Sequence, residues 1–277
     1  MFLGKNFFFI ILLIIINFSN GFSQKNIWTV GTAKTLPARQ FDIPFFQPCR
    51  YGITESLEVS SHPVWFFIMP NFSLKKEWFM WKEIIFSTKH GFHYPSLALD
   101  IFKDTDNNGI IEDTTKVPNI YAFKNEFYAS RFLLPPTRCT AANYLLTLKI
   151  GHQFAIEKGF STLQTVDHPL TYQATSIYMP DTSLWYVGLD LDWNYRENIS
   201  LSVDIEYISI TEYYLIEHKF LVLLHRKNDF SIVFGYKLTF AELPYRKDIF
   251  LMPLCDFMWK FNIKKKREKG LFKEKRF

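Results

Sequence analysis

The chain has 277 residues, 48% hydrophobic and 18% aromatic, and its formal net charge at pH 7 is +5. That charge is concentrated at one end. Residues 264–277 hold eight basic and two acidic side chains, and the rest of the chain after Lys5 is net −2. A basic face for nucleic acid is therefore excluded, and there is no Gly-rich phosphate loop. Three scattered cysteines also exclude a disulfide scaffold or a thiolate zinc site.

The N-terminus has the pattern of a secretory signal peptide. Lys5 precedes ten apolar residues at 7–16, and small residues occupy the first and third positions of Gly21-Phe22-Ser23. We expect residues 1–23 to be removed by cleavage after Ser23. The alternative is an uncleaved anchor, but this run is about half of the roughly 20 residues that a membrane-spanning helix needs.

No later segment forms an apolar run long enough for a membrane helix, so a helical membrane protein is excluded. No Gly/Ser-rich or Pro-rich linker divides the chain, which predicts a single domain. We expect residues 24–50 to be a periplasmic lead-in or an extra strand, residues 51–263 to form the domain, and residues 264–277 to be a basic tail.

Apolar and polar residues alternate in segments of about a dozen residues along the second half of the chain. In one segment the apolar face consists of Trp185, Val187, Leu189, Leu191, Trp193 and Tyr195, and the other face of Tyr186, Gly188, Asp190, Asp192, Asn194 and Arg196. A period of two predicts β-strands, and aromatics lie near the ends of the apolar face. Behind an export signal, this pattern is typical of a β-barrel with lipid outside and a polar lumen.

The alternation predicts an all-β, antiparallel up-and-down transmembrane β-barrel of about ten strands, within a range of eight to twelve. The predicted strands cover residues 51–59, 64–74, 77–87, 120–133, 144–156, 185–195, 199–207, 214–224, 230–240 and 249–261. A strand of ten steps, at about 3.3 Å each and tilted by about 40°, rises roughly 25 Å, which is the height of a barrel's lipid-facing band. The two longest gaps, 88–119 and 157–183, are expected at the outer end, opposite the short turns near Asn198 and Asn228.

Residues 51–263 resemble Gram-negative outer-membrane β-barrel proteins of an uncharacterised type. The resemblance rests on the alternation, the placement of aromatics, and a last strand that carries Phe257, Trp259, Phe261 and Ile263. The basic tail beyond this strand departs from that pattern. The resemblance implies an outer-membrane location, contact with outer-membrane lipids and insertion by the barrel-assembly machinery, but it defines no activity.

One stretch resembles the first part of a calcium-binding loop. Its candidate ligands are Asp104, Asp106, Asn108, the carbonyl of Ile110, and Glu112. Hard cations prefer such oxygen ligands, and Gly109 occupies the sixth position as it does in calcium loops. The twelfth position is Thr115 instead of the bidentate Glu, and the alternative is a solvated turn, because Asp, Asn and Gly favour turns. The sequence indicates no cofactor other than Ca²⁺ at this loop.

Charged residues on the polar faces predict a network inside the barrel. Short hairpins place Asp190 opposite Asp204, Glu206 opposite Glu217, and Asp204 opposite Lys219. Because like charges repel across a strand pair, lysines are expected between the acids. The predicted network consists of Lys149, Asp190, Asp192, Asp204, Glu206, Glu217, Lys219 and Lys237. It would fill a narrow lumen, or alternatively serve as an acid–base site or a polar conduction path.

Three functions remain open at this level. The first is a non-catalytic structural, transport or surface-interaction barrel with a narrow charged lumen. The second is a barrel-embedded hydrolase with an outer-loop site, which requires His90, His93, Asp167 or His168 to converge with a Ser or a carboxylate. The third is a soluble secreted lipocalin-like or β-sandwich binding protein, in which the apolar faces would point inward.

Overall fold

A computed structural model describes residues 28–101, 116–134, 143–159, 166–168, 176–178, 183–196, 198–210, 213–226, 229–243 and 246–262. The predicted signal peptide, the candidate calcium loop and the basic tail lie outside these residues.

Two short helices and fourteen strands make up the described regular structure. The helices are α1 (Pro63–Phe66) and α2 (Ser96–Ile101). The strands are β1 (Gln40–Pro44), β2 (Cys49–Thr54), β3 (Leu57–Ser61), β4 (Asn71–Trp81), β5 (Ile84–His93), β6 (Asn119–Leu134), β7 (Asn143–Lys158), β8 (Val166–His168), β9 (Ser176–Tyr178), β10 (Ser183–Arg196), β11 (Ile199–Ile210), β12 (Tyr213–Arg226), β13 (Phe230–Leu243) and β14 (Arg246–Asn262).

Twelve of these strands form a closed antiparallel barrel, in the order β1-β14-β13-β12-β11-β10-β7-β6-β5-β4-β3-β2. Closure is made by β1 against β14, where Gln40 pairs with Asn262. Strands β8 and β9 form a separate two-stranded sheet. The predicted all-β, up-and-down barrel is confirmed, with twelve strands instead of about ten.

The difference in strand number arises in the first third of the chain. The predicted strand 51–59 is two strands, β2 and β3, joined at a turn, and β1 adds another. The predicted strand 64–74 was wrong, because α1 and a turn occupy its first part. The predicted strand 77–87 spans β4, a tight turn and β5; Lys82 and Glu83 have φ of 45° and 69°, the left-handed values that two-residue hairpin turns require.

The two ends of the barrel differ. We name the end at which β1 begins and β14 finishes the lower end, and the opposite end the upper end. The strand ends that flank the two longest connections, residues 94–118 and 159–182, lie at the upper end, whereas the strand ends that flank residues 82–83 and 197–198 lie at the lower end. Long connections at one end and short turns at the other are typical of membrane barrels.

Apolar side chains cover the outside of the barrel and charged ones lie within it. Trp185 and Leu189 on β10 are 57% and 49% exposed, whereas Asp190, the residue after Leu189, faces the lumen and is 2% exposed. Other exposed aliphatic residues continue this belt: Leu148, Ile150, Val187 and Ile205. The inside is not wholly polar, since two apolar clusters line β10–β14: Leu184, Tyr186, Ile208, Leu215 and Ala241, and Leu221, Leu223, Val233 and Leu254.

Aromatic rings on the outer face gather toward the two ends of the strands. At the upper end, Phe123 packs between Phe92 and Phe154, with ring centroids 5.4 Å and 5.3 Å apart. At the lower end, Tyr144 stacks on Trp193 at 5.2 Å, and Phe230 packs on Trp259 at 5.3 Å. The aliphatic belt thus lies between two aromatic zones.

Candidate functional site in the barrel lumen

The segment before β1 enters the lumen. We name residues 28–39 the plug segment, because they cross the lower lumen and contact inward-facing side chains of strands on both sides of it. The backbone N–H of Ala33 donates to Ser130 Oγ on β6 at 2.7 Å, and that of Leu36 donates to Glu58 Oε2 on β3 at 2.8 Å. Thr32 and Ala33 are fully buried. The predicted lead-in at residues 24–50 therefore contains both a luminal segment and a barrel strand.

Lys75 on β4 makes the densest contact with the plug segment. Its ammonium group donates to the carbonyl oxygens of Val30 at 3.3 Å, Lys34 at 2.8 Å and Thr32. It also lies 5.1 Å from the ring centroid of Tyr128. An ammonium group has three donors. All three are used on the plug backbone, so this one side chain fixes five consecutive residues of the plug.

Two acids of β10 also contact the plug. Asp192 on β10 accepts hydrogen bonds from the Thr29 backbone N–H at 2.8 Å and from Thr29 Oγ1 at 2.9 Å. Asp190 lies against Gly31, where a Cβ atom would come within 1.9 Å of Asp190 Oδ2. A side chain at position 31 would therefore separate the plug from β10.

Lys149 on β7 is the centre of the luminal charge network. Its ammonium group lies 3.2 Å from Asp204 Oδ2 and 3.6 Å from Asp190 Oδ1, and it contacts Glu206 Oε2. The lysine stem crosses Gly188, where a Cβ atom would lie 2.2 Å from Lys149 Cε. The missing side chain at an inward position of β10 thus makes room for the shared cation.

Two further ion pairs extend the network along β11–β13. Lys219 Nζ lies 2.8 Å from Asp204 Oδ2, and Lys237 Nζ lies 3.3 Å from Glu217 Oε1. The structure therefore brings five of the eight residues predicted for the network into one set of ion pairs around Lys149 and Lys219, and it pairs Glu217 with Lys237 on the neighbouring strands. Asp192 lies apart from them and binds the plug instead.

A second ionic cluster was not found from the sequence. Arg50 on β2 lies 2.9 Å from Asp42 on β1 and 4.0 Å from Glu58 on β3, and all three side chains are buried. These strands have only five or six residues each, too few for the alternation to show which face is inward. The plug contact of Lys75 left no local signal either, because its partners are backbone carbonyls distant in sequence.

A chamber of about 190 Å³ lies above the plug. Its floor includes Val30 and Gly31, its wall includes charged residues of β5–β7 and β11–β12, and His62 and Met69 line it near α1. His62 Nε2 lies 2.7 Å from the carbonyl oxygen of Phe46, and burial lowers the pKa of His62. The imidazole is therefore neutral at pH 7.

The two β5 histidines proposed for a hydrolase face opposite sides of the barrel wall. His90 lies on the outer face of β5, with Nδ1 2.8 Å from Asn125 Oδ1, whereas His93, three residues on, faces the chamber. Asp167 and His168 lie on β8, in the separate sheet. The candidate calcium ligands at 104–112 fall outside the described residues, and within those residues no group of three His, Cys, Asp or Glu is placed to hold a metal ion.

No protein-family model matches this sequence, and no curated protein is significantly similar to it. Neither of the two helices in the described parts of the chain has the length and apolar character of a membrane span. The class that the fold defines is a closed, twelve-stranded antiparallel β-barrel with a plugged and charged lumen.

Proposed function

We propose that this protein is an integral outer-membrane β-barrel without catalytic activity, acting in transport or surface interaction. The observation that carries the proposal is the orientation of β10: Trp185 and Leu189 are exposed on the outside, and Asp190 is buried inside. Large contiguous apolar surfaces are rare on soluble monomers, because they expose hydrocarbon to water. Lipid would remove that cost, and the two aromatic zones would lie at its interfaces with water.

The plug segment argues against a passive open pore. It crosses the lower lumen and is held by Lys75, Asp192 and Ser130. Solute passage would require the plug to leave or rearrange, so a transport role in this proposal is a gated one. Without such movement the barrel would act through its upper chamber and upper connections.

The soluble lipocalin-like alternative requires the opposite arrangement of side chains. Such a barrel keeps apolar residues inside and polar ones in water, whereas here Asp204 is 6% exposed and Ile205, its neighbour, is 49% exposed. Burying a charge network while exposing the aliphatic belt is unfavourable in water on both counts. We therefore favour the membrane barrel.

Membrane fractionation and heat-modifiability on a gel test the proposal. The mature chain, beginning at Gln24 by N-terminal sequencing, is expected in the outer-membrane fraction and to migrate differently before and after boiling. Recovery in the soluble periplasmic fraction would contradict it.

A substitution in the aliphatic belt distinguishes lipid from water around the barrel. Leu189→Arg is expected to destabilise a membrane-embedded barrel by about 2–4 kcal/mol, because a cation would face hydrocarbon near the bilayer midplane. Urea unfolding in lipid vesicles measures this. Leu189→Phe is the matched control and should change stability little. In a soluble protein both substitutions would be nearly neutral, since Leu189 is exposed.

A further inference from the structure

One wall of the upper chamber has more basic than acidic side chains. Lys89 on β5 and Lys124 on β6 both pair with the same carboxylate, that of Glu126, at 3.3 Å and 3.4 Å. Within the described residues, neither lysine has a second acidic partner. All three side chains line the chamber, so this wall carries one positive charge that no acid there balances.

The adjoining wall, formed by β7, β10, β11 and β12, has the opposite character. Lys149 contacts Asp190, Asp204 and Glu206, and Lys219 also binds Asp204. Two lysines there form ion pairs with three carboxylates. The surplus positive charge therefore lies at Lys89 and Lys124. A charge in a largely enclosed space is unfavourable unless a counter-charge lies next to it.

A hydrogen-bonding group without a partner lies on the same wall. His93 lines the chamber, and its Nδ1 atom is buried with no hydrogen-bond partner among the described residues. Gly91 lies between His93 and Lys124: a Cβ atom there would be 3.5 Å from His93 Nε2 and 3.7 Å from Lys124 Cβ. The buried Nδ1 atom is closed to the chamber, but a Cβ atom would fit beside Nε2 and Lys124 at ordinary contact distances, so this position has space for an oxygen of a ligand.

We propose that the upper chamber binds a small oxyanion, a carboxylate or a phosphate, at Lys89, Lys124 and His93. The oxygens of the anion accept hydrogen bonds from the two ammonium groups and from the His93 ring, and its charge balances the surplus on this wall. Glu126 competes with the ligand for the same two lysines. Because the surplus on this wall is one positive charge, a singly charged anion balances it.

Because Glu126 competes with the anion, removing its charge should change the affinity in the opposite direction to removing a lysine. The full chain is purified in detergent and titrated at constant ionic strength with inorganic phosphate in one arm and acetate in the other, and binding is followed by calorimetry. Lys89→Gln and Lys124→Gln are each expected to weaken binding about tenfold, the loss of one charge-assisted hydrogen bond. Glu126→Gln is expected to strengthen it about tenfold, because it releases both lysines. The arm that binds more tightly identifies the oxyanion.

Two controls separate binding from folding. Lys34→Gln removes a lysine that pairs with Glu77 at 3.3 Å in the lower lumen, outside the chamber, and should leave affinity unchanged. Lys89→Arg keeps the charge and should bind within a few-fold of the native chain. Absence of saturable binding in both arms, or weaker binding by Glu126→Gln in a variant that retains its heat-modifiable gel shift, would overturn the proposal. The titration is independent of the membrane the protein occupies, so its failure is distinct from that of the proposed function.

Discussion

The lower and upper parts of the lumen are both lined by charged side chains, but only the lower part is filled. In the lower part, the charges of Lys75 and Asp192 are satisfied by the backbone and hydroxyl of the plug segment. In the upper part, Lys149 and its acids satisfy one another around a chamber of about 190 Å³. Charged side chains in this lumen thus either bind the plug segment or bind one another around an open space. Mutations in the two groups should therefore have different effects.

The largest effect is expected in the self-contained network of the upper part. Lys149→Met leaves Asp190, Asp204 and Glu206 buried without their shared cation, and such a loss should lower the free energy of unfolding by about 3–5 kcal/mol. Urea titration in lipid vesicles, followed by tryptophan fluorescence, measures it. The double variant Lys149→Met/Glu206→Gln should recover part of the loss. Native-like stability of the single variant would show that these acids do not depend on Lys149.

An intermediate effect is expected where the plug is held. Lys75→Met removes three hydrogen bonds to the plug backbone and should weaken its docking by about 1.5–3 kcal/mol, since hydrogen bonds from a charged group are worth about that much. Because the plug blocks the lower lumen, conductance across planar bilayers should rise.

The neighbouring residue supplies the control for this experiment. Lys76 binds Ser56 Oγ at 3.0 Å and makes no contact with the plug, so Lys76→Met should leave conductance unchanged. If Lys75→Met also conducts like the native chain, the plug is held without this lysine or the lumen is closed elsewhere.

The smallest effect is expected outside the lumen. Arg131 and Glu83 form an ion pair of 3.2 Å at the lower end, and both side chains are more than half exposed. Exposed ion pairs contribute little, so Arg131→Ala should change the free energy of unfolding by less than about 1 kcal/mol. The same urea titration measures it. A loss as large as that of Lys149→Met would show that the contrast between buried and exposed charges does not govern stability here.

Sequence periodicity was most informative where strands are long and their two faces differ in polarity. In β10 and β11 the alternation predicted the strands, and the short turn between them correctly predicted Asp190 opposite Asp204. In β1–β3, strands of five or six residues hold too few alternations, and two of them were merged. An extra barrel strand in residues 24–50 was one of two alternatives, but the path of the plug through the lumen was not foreseen.

The sequence by itself determined the all-β class, the long strands and the charged faces of β7 and β10–β13, because a period of two along one strand is a local property. Only the tertiary structure decided what those charges meet. The three carbonyls bound by Lys75 and the Thr29 contacts of Asp192 depend on the path of the plug segment past strands that are distant from it in sequence. The sharing of Glu126 by Lys89 and Lys124 depends on the register of β5 against β6. Closure of the barrel sets those distances, and no local pattern records them.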